Sequence, residues 1–430
     1  MDKEKWKERL AVLKEKLAFL KPWDMDDMED GLDDDLEVQE FSSEVHPSGE
    51  EAAKAPVWQS RRKKAILGGC AVLAAVLVAG GFYFYNRYHT FTEYVVTSTD
   101  ENLDIDGTEY VVLGRSVMKY SPDGVFCVDT HNQSDWSVAF SMQTPITDVC
   151  EETMVIAEQQ GRQVYVFNAD GLLGNFETDL PVLRAQVSRQ GVVALILDDA
   201  DATWIRLYTS TGEQIATVKT TVADYGYPVD IAITPDASKM MVSFLGIQSG
   251  SLNSKIAFFD FSSASVSDDS HLTGTLDYPG RVFPEVYYAD ASTPVALGDS
   301  GFVVFRNGEA PEERASVEFE DEIISSFHDD DYVGFVFSNE TTENRYRIEL
   351  YTYQGRRRMQ EEFDTDYAEV KMDRGEILLY NAKSCTVYTT WGTKRFSSDY
   401  EKQVNFFAKL SGFRSYLVIT EDSMDHIRIS

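Results

Sequence analysis

From Thr90 to the C-terminus one phrase recurs: a short β-run, a turn that contains glycine, and a second β-run. It reads as Ser116–Val128, Gln163–Phe176, Trp204–Val218, Phe302–Val317, Tyr346–Phe363 and Cys385–Phe396, with Lys255–Phe261 as a counterpart before a longer, Ser-rich loop. The runs are rich in Val, Ile, Tyr, Phe and Thr, which suit a pleated, half-buried surface, and glycine supplies the backbone angles of tight turns. The turn glycines Gly124, Gly171, Gly212, Gly308, Gly355 and Gly392 are 47, 41, 96, 47 and 37 residues apart, the gap of 96 spanning two units. A period of about 45 is that of a four-stranded propeller blade, a unit that buries its faces only by stacking on its neighbours.

Between the phrases lie the other two strands of each unit, most clearly in Val229–Phe244, where two β-runs meet at Pro235-Asp236; Gln186–Leu197 and Glu369–Tyr380 fill the same slot. The C-terminus supplies three more runs, around Asn405–Leu410, Ser415–Thr420 and His426–Ser430, and Thr92–Thr97 is placed to add the fourth. Joining the two ends in one blade removes the free edge of the ring. Residues 90–430 divide into eight units of roughly 42 residues or seven of roughly 48. The expectation is an all-β fold, a β-propeller with eight blades favoured over seven; a β-sandwich array would space its turns less regularly.

The turns at Thr234-Pro235-Asp236 and Ser121-Pro122-Asp123-Gly124 resemble those of the TolB and YVTN groups of propellers. The outer region, with a single preceding anchor, is similar to an uncharacterised family of Gram-positive bacteria, single-pass membrane proteins with an extracytoplasmic propeller of unknown function. That resemblance covers most of the chain and carries no catalytic residue across. The outer region lacks the Trp-Asp and Gly-His pairs of WD40 repeats proper.

Ahead of the repeats, Ala65–Tyr85 is 21 residues without a charge. At 1.5 Å per residue a helix of that length matches the roughly 30 Å hydrocarbon core of a bilayer. Arg61, Arg62, Lys63 and Lys64 flank one end; Phe82, Tyr83, Phe84, Tyr85 and Tyr88 cluster at the other, with only Arg87 nearby. The positive-inside rule then puts residues 1–64 in the cytoplasm of a bacterial cell and 90–430 outside, the transmembrane segment running over 65–88. Cys70 begins the apolar run rather than following it, so a lipoprotein acylation site does not fit.

On the cytoplasmic side, Trp6, Leu10, Leu13, Leu17 and Leu20 fall on one face of a helix over residues 1–21, which carries a net charge of +3. A lone amphipathic helix of this kind pairs with a partner helix or lies on the inner leaflet. Residues 22–64 form a linker in which 24–51 hold 13 acidic residues and no Lys or Arg, a composition that stays solvated. Asp26, Asp30, Gly31, Asp34 and Glu37 match part of a calcium-loop template, but Met28 stands where an oxygen ligand is required.

Few residues fall in a pattern that carries chemistry. Gly298-Asp299-Ser300-Gly301 resembles a protease nucleophile segment, yet the histidines after the span, His89, His131, His271, His328 and His426, sit in no base motif, so it reads as a hairpin turn. No Cys/His pair has zinc spacing, and the acidic clusters Asp198, Asp199, Asp201 and Asp329, Asp330, Asp331 read as surface loops. Cys127, Cys150 and Cys385 are an odd set outside the membrane and are expected as free thiols. Phosphate-binding glycine loops are absent. No catalytic, cofactor or metal residue is therefore assigned.

Residues 65–430 carry 55 acids and 27 bases, a net charge of −28. Such a surface excludes general nucleic-acid binding and suits a basic protein or peptide. Arg345, Arg347, Arg356, Arg357 and Arg358 form one local basic concentration, a candidate partner patch. The expected function is a membrane-anchored, non-catalytic interaction or scaffold module of the cell envelope with a protein partner outside the cell. The alternative is a ligand receptor or enzyme with its site at the central channel, where inner-strand acids such as Asp148, Asp230 and Glu369 would face.

Overall fold

The computed structural model describes residues 72–85 and 88–430, other than 103, 106, 200–201, 249, 263–270, 308–309 and 340–342. The proposed helix of residues 1–21, the acidic linker with its partial calcium template, the basic flank at 61–64 and Cys70 lie outside the described residues.

Among the described residues, 32 strands form eight antiparallel four-stranded sheets. Eight blades, rather than seven, is the count the repeat favours. The first strand of each blade lines the channel: β2 (Glu109–Leu113), β6 (Pro145–Cys150), β10 (Val182–Val187), β14 (Tyr227–Ile233), β18 (Glu285–Asp290), β22 (Ile323–His328), β26 (Glu369–Asp373) and β30 (Val404–Lys409). These strands begin 36, 37, 45, 58, 38, 46 and 35 residues apart. The gap of 58 belongs to blade 4, whose second and third strands, Lys239–Gln248 and Ser251–Asp260, are each 10 residues long.

Burial follows position in the blade. Second strands such as Val193–Asp199 and Tyr332–Ser338 are buried over continuous apolar runs, because a neighbouring blade covers each face. Fourth strands such as Pro311–Glu318 alternate exposed and half-buried and carry charge, which protects the rim from edge pairing. The core is accordingly not one mass but eight apolar clusters, each shared by two consecutive blades around the ring.

The ring closes as the sequence predicts. Blade 8 is built from β30, β31 (Ser415–Thr420) and β32 (Ser423–Ile429), with β1 (Tyr94–Glu101) added from the N-terminal side as its outer strand, Tyr94 opposite Ile429 and Glu101 opposite Ser423. Buried Phe91 leads into this strand, its ring 4.0 Å from the Arg414 guanidinium carbon.

One expectation needs correction. Ser116–Val128 is out of phase with the other phrases: it is the second and third strands of blade 1, and Gly124 sits between them. Gly171, Gly212, Gly355 and Gly392 lie instead between third and fourth strands. The equivalent turn of blade 1, residues 129–133, has no glycine; Asn132 takes the left-handed conformation there, at φ 56°, as Asn does more readily than most residues.

Residues 72–85 are helical with their apolar side chains exposed, Leu77 at 66% and Phe84 at 60%. Among the described residues, no helix is long and apolar enough to cross a membrane. The remainder of the apolar run, 65–71, lies outside them.

Candidate functional site

All inner strands run the same way around the ring, so the channel has one end where they begin and one where they finish. Each end holds a cavity. The larger, of about 770 Å³, lies where β6, β10, β14, β18 and β22 finish, in blades 2 to 6. Its wall is acidic: Asp148, Asp230, Glu285, Asp290, Asp329 and Asp330 face it, with Arg189 and His328 among the few bases. Arg189 is already engaged by Glu151 at 3.3 Å, and His328 lies flat on Tyr287, ring centroids 3.6 Å apart, 3.4 Å from Glu285.

Two of these carboxylates have a structural task. Asp148 Oδ2 accepts the backbone N–H of Val187 at 2.8 Å, and Asp230 Oδ2 accepts that of Val286 at 2.8 Å. Asp373 does the same for Lys409, also at 2.8 Å. In each case an inner-strand aspartate reaches across to the inner strand of the next blade, satisfying a backbone donor that the sheet leaves unpaired. Burial raises these acids, Asp148 to about 6 and Asp230 to about 7, while the accepted N–H bonds pull the other way. Asp329 and Asp330 are also raised, first by burial and then by nearby acids, Asp331 in both cases.

The smaller cavity, of about 660 Å³, lies at the opposite end, where β2, β26 and β30 begin. Asp104, Glu109, Glu369 and Glu421 line it together with Lys371, Tyr110, Tyr380 and Phe406. Glu369 accepts a hydrogen bond from the Tyr380 hydroxyl. The three acids named from the sequence, Asp148, Asp230 and Glu369, are thus all on inner strands, but divided between two cavities.

The arginine patch lies on blade 6. Arg345 is bound by Asp364 and Asp366 at 2.6 and 2.7 Å. Arg347 joins Asp321 at 2.6 Å and Glu349 at 2.8 Å, and Arg357 reaches the same Glu349 at 3.4 Å. Arg358 stacks on exposed Trp391 of blade 7, and Arg356 is exposed. Arg347 and Arg357 therefore neutralise a buried carboxylate of their own sheet. The Arg347/Glu349 spacing, alternate positions on one strand, carried that signal.

Sequence reasoning missed a second buried network. Glu376, 5% exposed, meets Arg395 at 2.9 Å, Lys409 at 2.6 Å and the Tyr416 hydroxyl at 2.7 Å, tying blade 7 to blade 8. The partners are 19 to 40 residues away, and nothing local marks them.

Gly298-Asp299-Ser300-Gly301 is a hairpin turn, with Gly298 paired to Gly301. The Ser300 hydroxyl bonds to Asp299 at 3.2 Å, and among the described residues no imidazole reaches it. Asp329 Oδ1 accepts the N–H groups of Asp331 and Tyr332, so that cluster shapes a turn. Among the described residues, no group of three His, Cys, Asp or Glu side chains is placed to hold a metal. The three cysteines are free, Cys127 and Cys385 buried.

Compared with known proteins, residues 87–429 match the model of a family of unknown function, DUF5711. The chain belongs to this family. Among curated proteins none matches. Of solved structures, Sqt1 of Chaetomium thermophilum bound to the N-terminus of ribosomal protein L10 is similar at 9% identity and a TM-score of 0.50, covering 79% of this chain and all of its own. A eukaryotic initiation factor is similar at 11% identity and 0.50, covering 77% of this chain and 87% of that one. BamB of Moraxella catarrhalis is similar at 10% identity and 0.47, covering 78% and 100%. At such identities the likeness is one of fold.

Proposed function

We propose that this member of the DUF5711 family is a membrane-anchored, extracytoplasmic propeller that serves the bacterial cell envelope as a non-catalytic protein-interaction module. The single observation that carries the reading is the acidic mouth of about 770 Å³ spread over five blades. A wide negative concavity on a region of net charge −28 attracts and orients a basic protein segment. Sqt1, a propeller of similar fold, holds the N-terminus of another protein, and binding a peptide segment is work this architecture supports. Anchoring rests on the uncharged run 65–85 and the four bases before it. The exposed apolar side chains of residues 72–85 agree with that assignment. The segment of residues 1–21 is assigned to the inner leaflet or a partner helix.

The test is in-cell crosslinking of the full-length protein beside a version lacking residues 90–430, with mass spectrometry of what each captures. The reading expects a basic protein on the full-length chain alone. If both chains capture the same cytoplasmic protein, the working end is the N-terminal segment and the proposal fails.

A further inference from the structure

Lys371 is unlike two other lysines of nearby blades. Lys119 is paired with Asp104 at 2.9 Å and Lys409 with Glu376 at 2.6 Å. Among the described residues, no carboxylate lies within ion-pair distance of Lys371 Nζ and no acceptor within hydrogen-bond distance. The amine meets ring faces instead, 3.9 Å from the centroid of Phe406 and 5.6 Å from that of Tyr380. Burial of an ammonium without a carboxylate partner favours its neutral form; the two ring faces, which attract a cation, offset part of that. The side chain nevertheless opens into the cavity of about 660 Å³, so the amine is accessible to a small molecule.

The other groups of the cavity define what it admits. Asp104, Glu109, Glu369 and Glu421 repel an anion, whereas Gln403, Asn405 and the carboxylates offer hydrogen bonds to hydroxyls. Glu369 lies two residues before Lys371 on β26, hence on the same side of the strand, and its bond from Tyr380 holds it there.

We propose that Lys371 is a nucleophilic amine and that this cavity takes a small, uncharged, hydroxylated aldehyde as a Schiff base. The Nζ lone pair adds to the carbonyl carbon, forming the C–N bond while the C=O π pair moves to oxygen. A proton passes from nitrogen to that oxygen, giving the carbinolamine. Loss of the hydroxyl as water, with formation of C=N, leaves the imine. No electrons are gained or lost, and the carboxyl of Glu369, two residues away on that side of the strand, lines the cavity as an acid–base group. Burial pushes the Lys371 amine down to about 8, against an opposing pull from Asp373 and Glu369. At about pH 7.5 roughly a quarter of it is then neutral, against about a thousandth of an ordinary lysine. Tyr380 on the adjoining strand, Tyr110 and Glu109 on β2, and Asp104 and Glu421 at the rim are the remaining titratable groups that line the cavity, with Asp373 two residues further along β26.

The experiment treats the full-length protein with glycolaldehyde and cyanoborohydride near neutral pH and maps modified lysines by mass spectrometry of peptides. Reduction of the imine fixes the adduct. Lys371 is expected to be modified at least tenfold faster than Lys402, whose side chain is 43% exposed. Glyoxylate, in which a carboxylate replaces the hydroxymethyl group, is expected to react with Lys371 at least fivefold more slowly than glycolaldehyde, each rate taken relative to that of Lys402. Lys371→Arg should remove that one adduct and leave the Lys402 adduct unchanged; the principal comparison is within the unaltered chain and does not depend on the variant. Modification of Lys371 no faster than Lys402 overturns the nucleophile, and equal rates with the two aldehydes overturn the ligand class.

Discussion

Asp230→Asn makes the pH dependence of this fold a direct readout of one blade-to-blade bridge. Asp230 is 15% exposed and bonded to the Val286 N–H, and burial lifts its pKa to about 7 from a reference of 3.8. A carboxylate raised on folding contributes stability that is fully present below the unfolded pKa and is lost as pH rises through the folded one. Between pH 5 and pH 8 that difference amounts to about 2–3 kcal/mol of stability lost. The asparagine carbonyl still accepts the Val286 N–H but does not ionise, so the loss at this site disappears. In a domain of this size about 2–3 kcal/mol corresponds to a Tm change of about 3–4 °C. Thermal unfolding of the full-length protein and the variant at pH 5 and pH 8 measures it. The expected result is a smaller Tm drop in the variant by that amount, because other titrating groups, Asp148 included, are common to both and cancel. Parallel drops in the two proteins would refute the assignment of a buried, raised carboxylate bridging blades 4 and 5.

Glu376→Ala removes the partner of Arg395 and Lys409 and leaves two poorly solvated cations between blades 7 and 8; a loss of about 3–5 kcal/mol in chemical denaturation is expected. Gly301→Ala places a Cβ 2.0 Å from the Val317 carbonyl oxygen at φ +145° and should cost about 2–4 kcal/mol, while Gly171→Ala, at φ +142° with nothing within 4 Å, should cost only about 1 kcal/mol. A chain starting after Glu101 loses the outer strand of blade 8; it should unfold at lower temperature and self-associate through the bared edge in size-exclusion chromatography.

The propeller was legible because its defining feature is periodic: strand runs and turns recur often enough that one irregular unit does not hide the repeat. Closure was legible for the same reason, since Thr92–Thr97 and the three C-terminal runs were left over from seven complete units. The phase slip at Gly124 shows the limit of a single residue as a marker, because Asn132 replaces glycine at the equivalent turn. Side-chain partnerships were less legible. Asp148 and Asp230 were found as inner-strand acids, but their task depends on backbone donors 39 and 56 residues away. Lys371 carried no signal at all: only the fold brings the Phe406 and Tyr380 rings over its amine and leaves it without a carboxylate. The arginines were visible as a cluster, whereas of the two that bind the buried Glu349 only Arg347, two positions away on the same strand, had a local signal.

The acidic channel mouth is the surface proposed to meet a basic partner. Its most direct test is capture from cells by the full-length protein beside a variant carrying Glu285→Gln, Asp290→Asn, Asp329→Asn and Asp330→Asn, at low and at high salt. The account predicts a basic protein captured by the unaltered chain at low salt, lost at high salt and lost in the variant, since the attraction between the two is screened over about 10 Å at 0.1 M salt. Capture of the same protein by both chains, unchanged by salt, would contradict it.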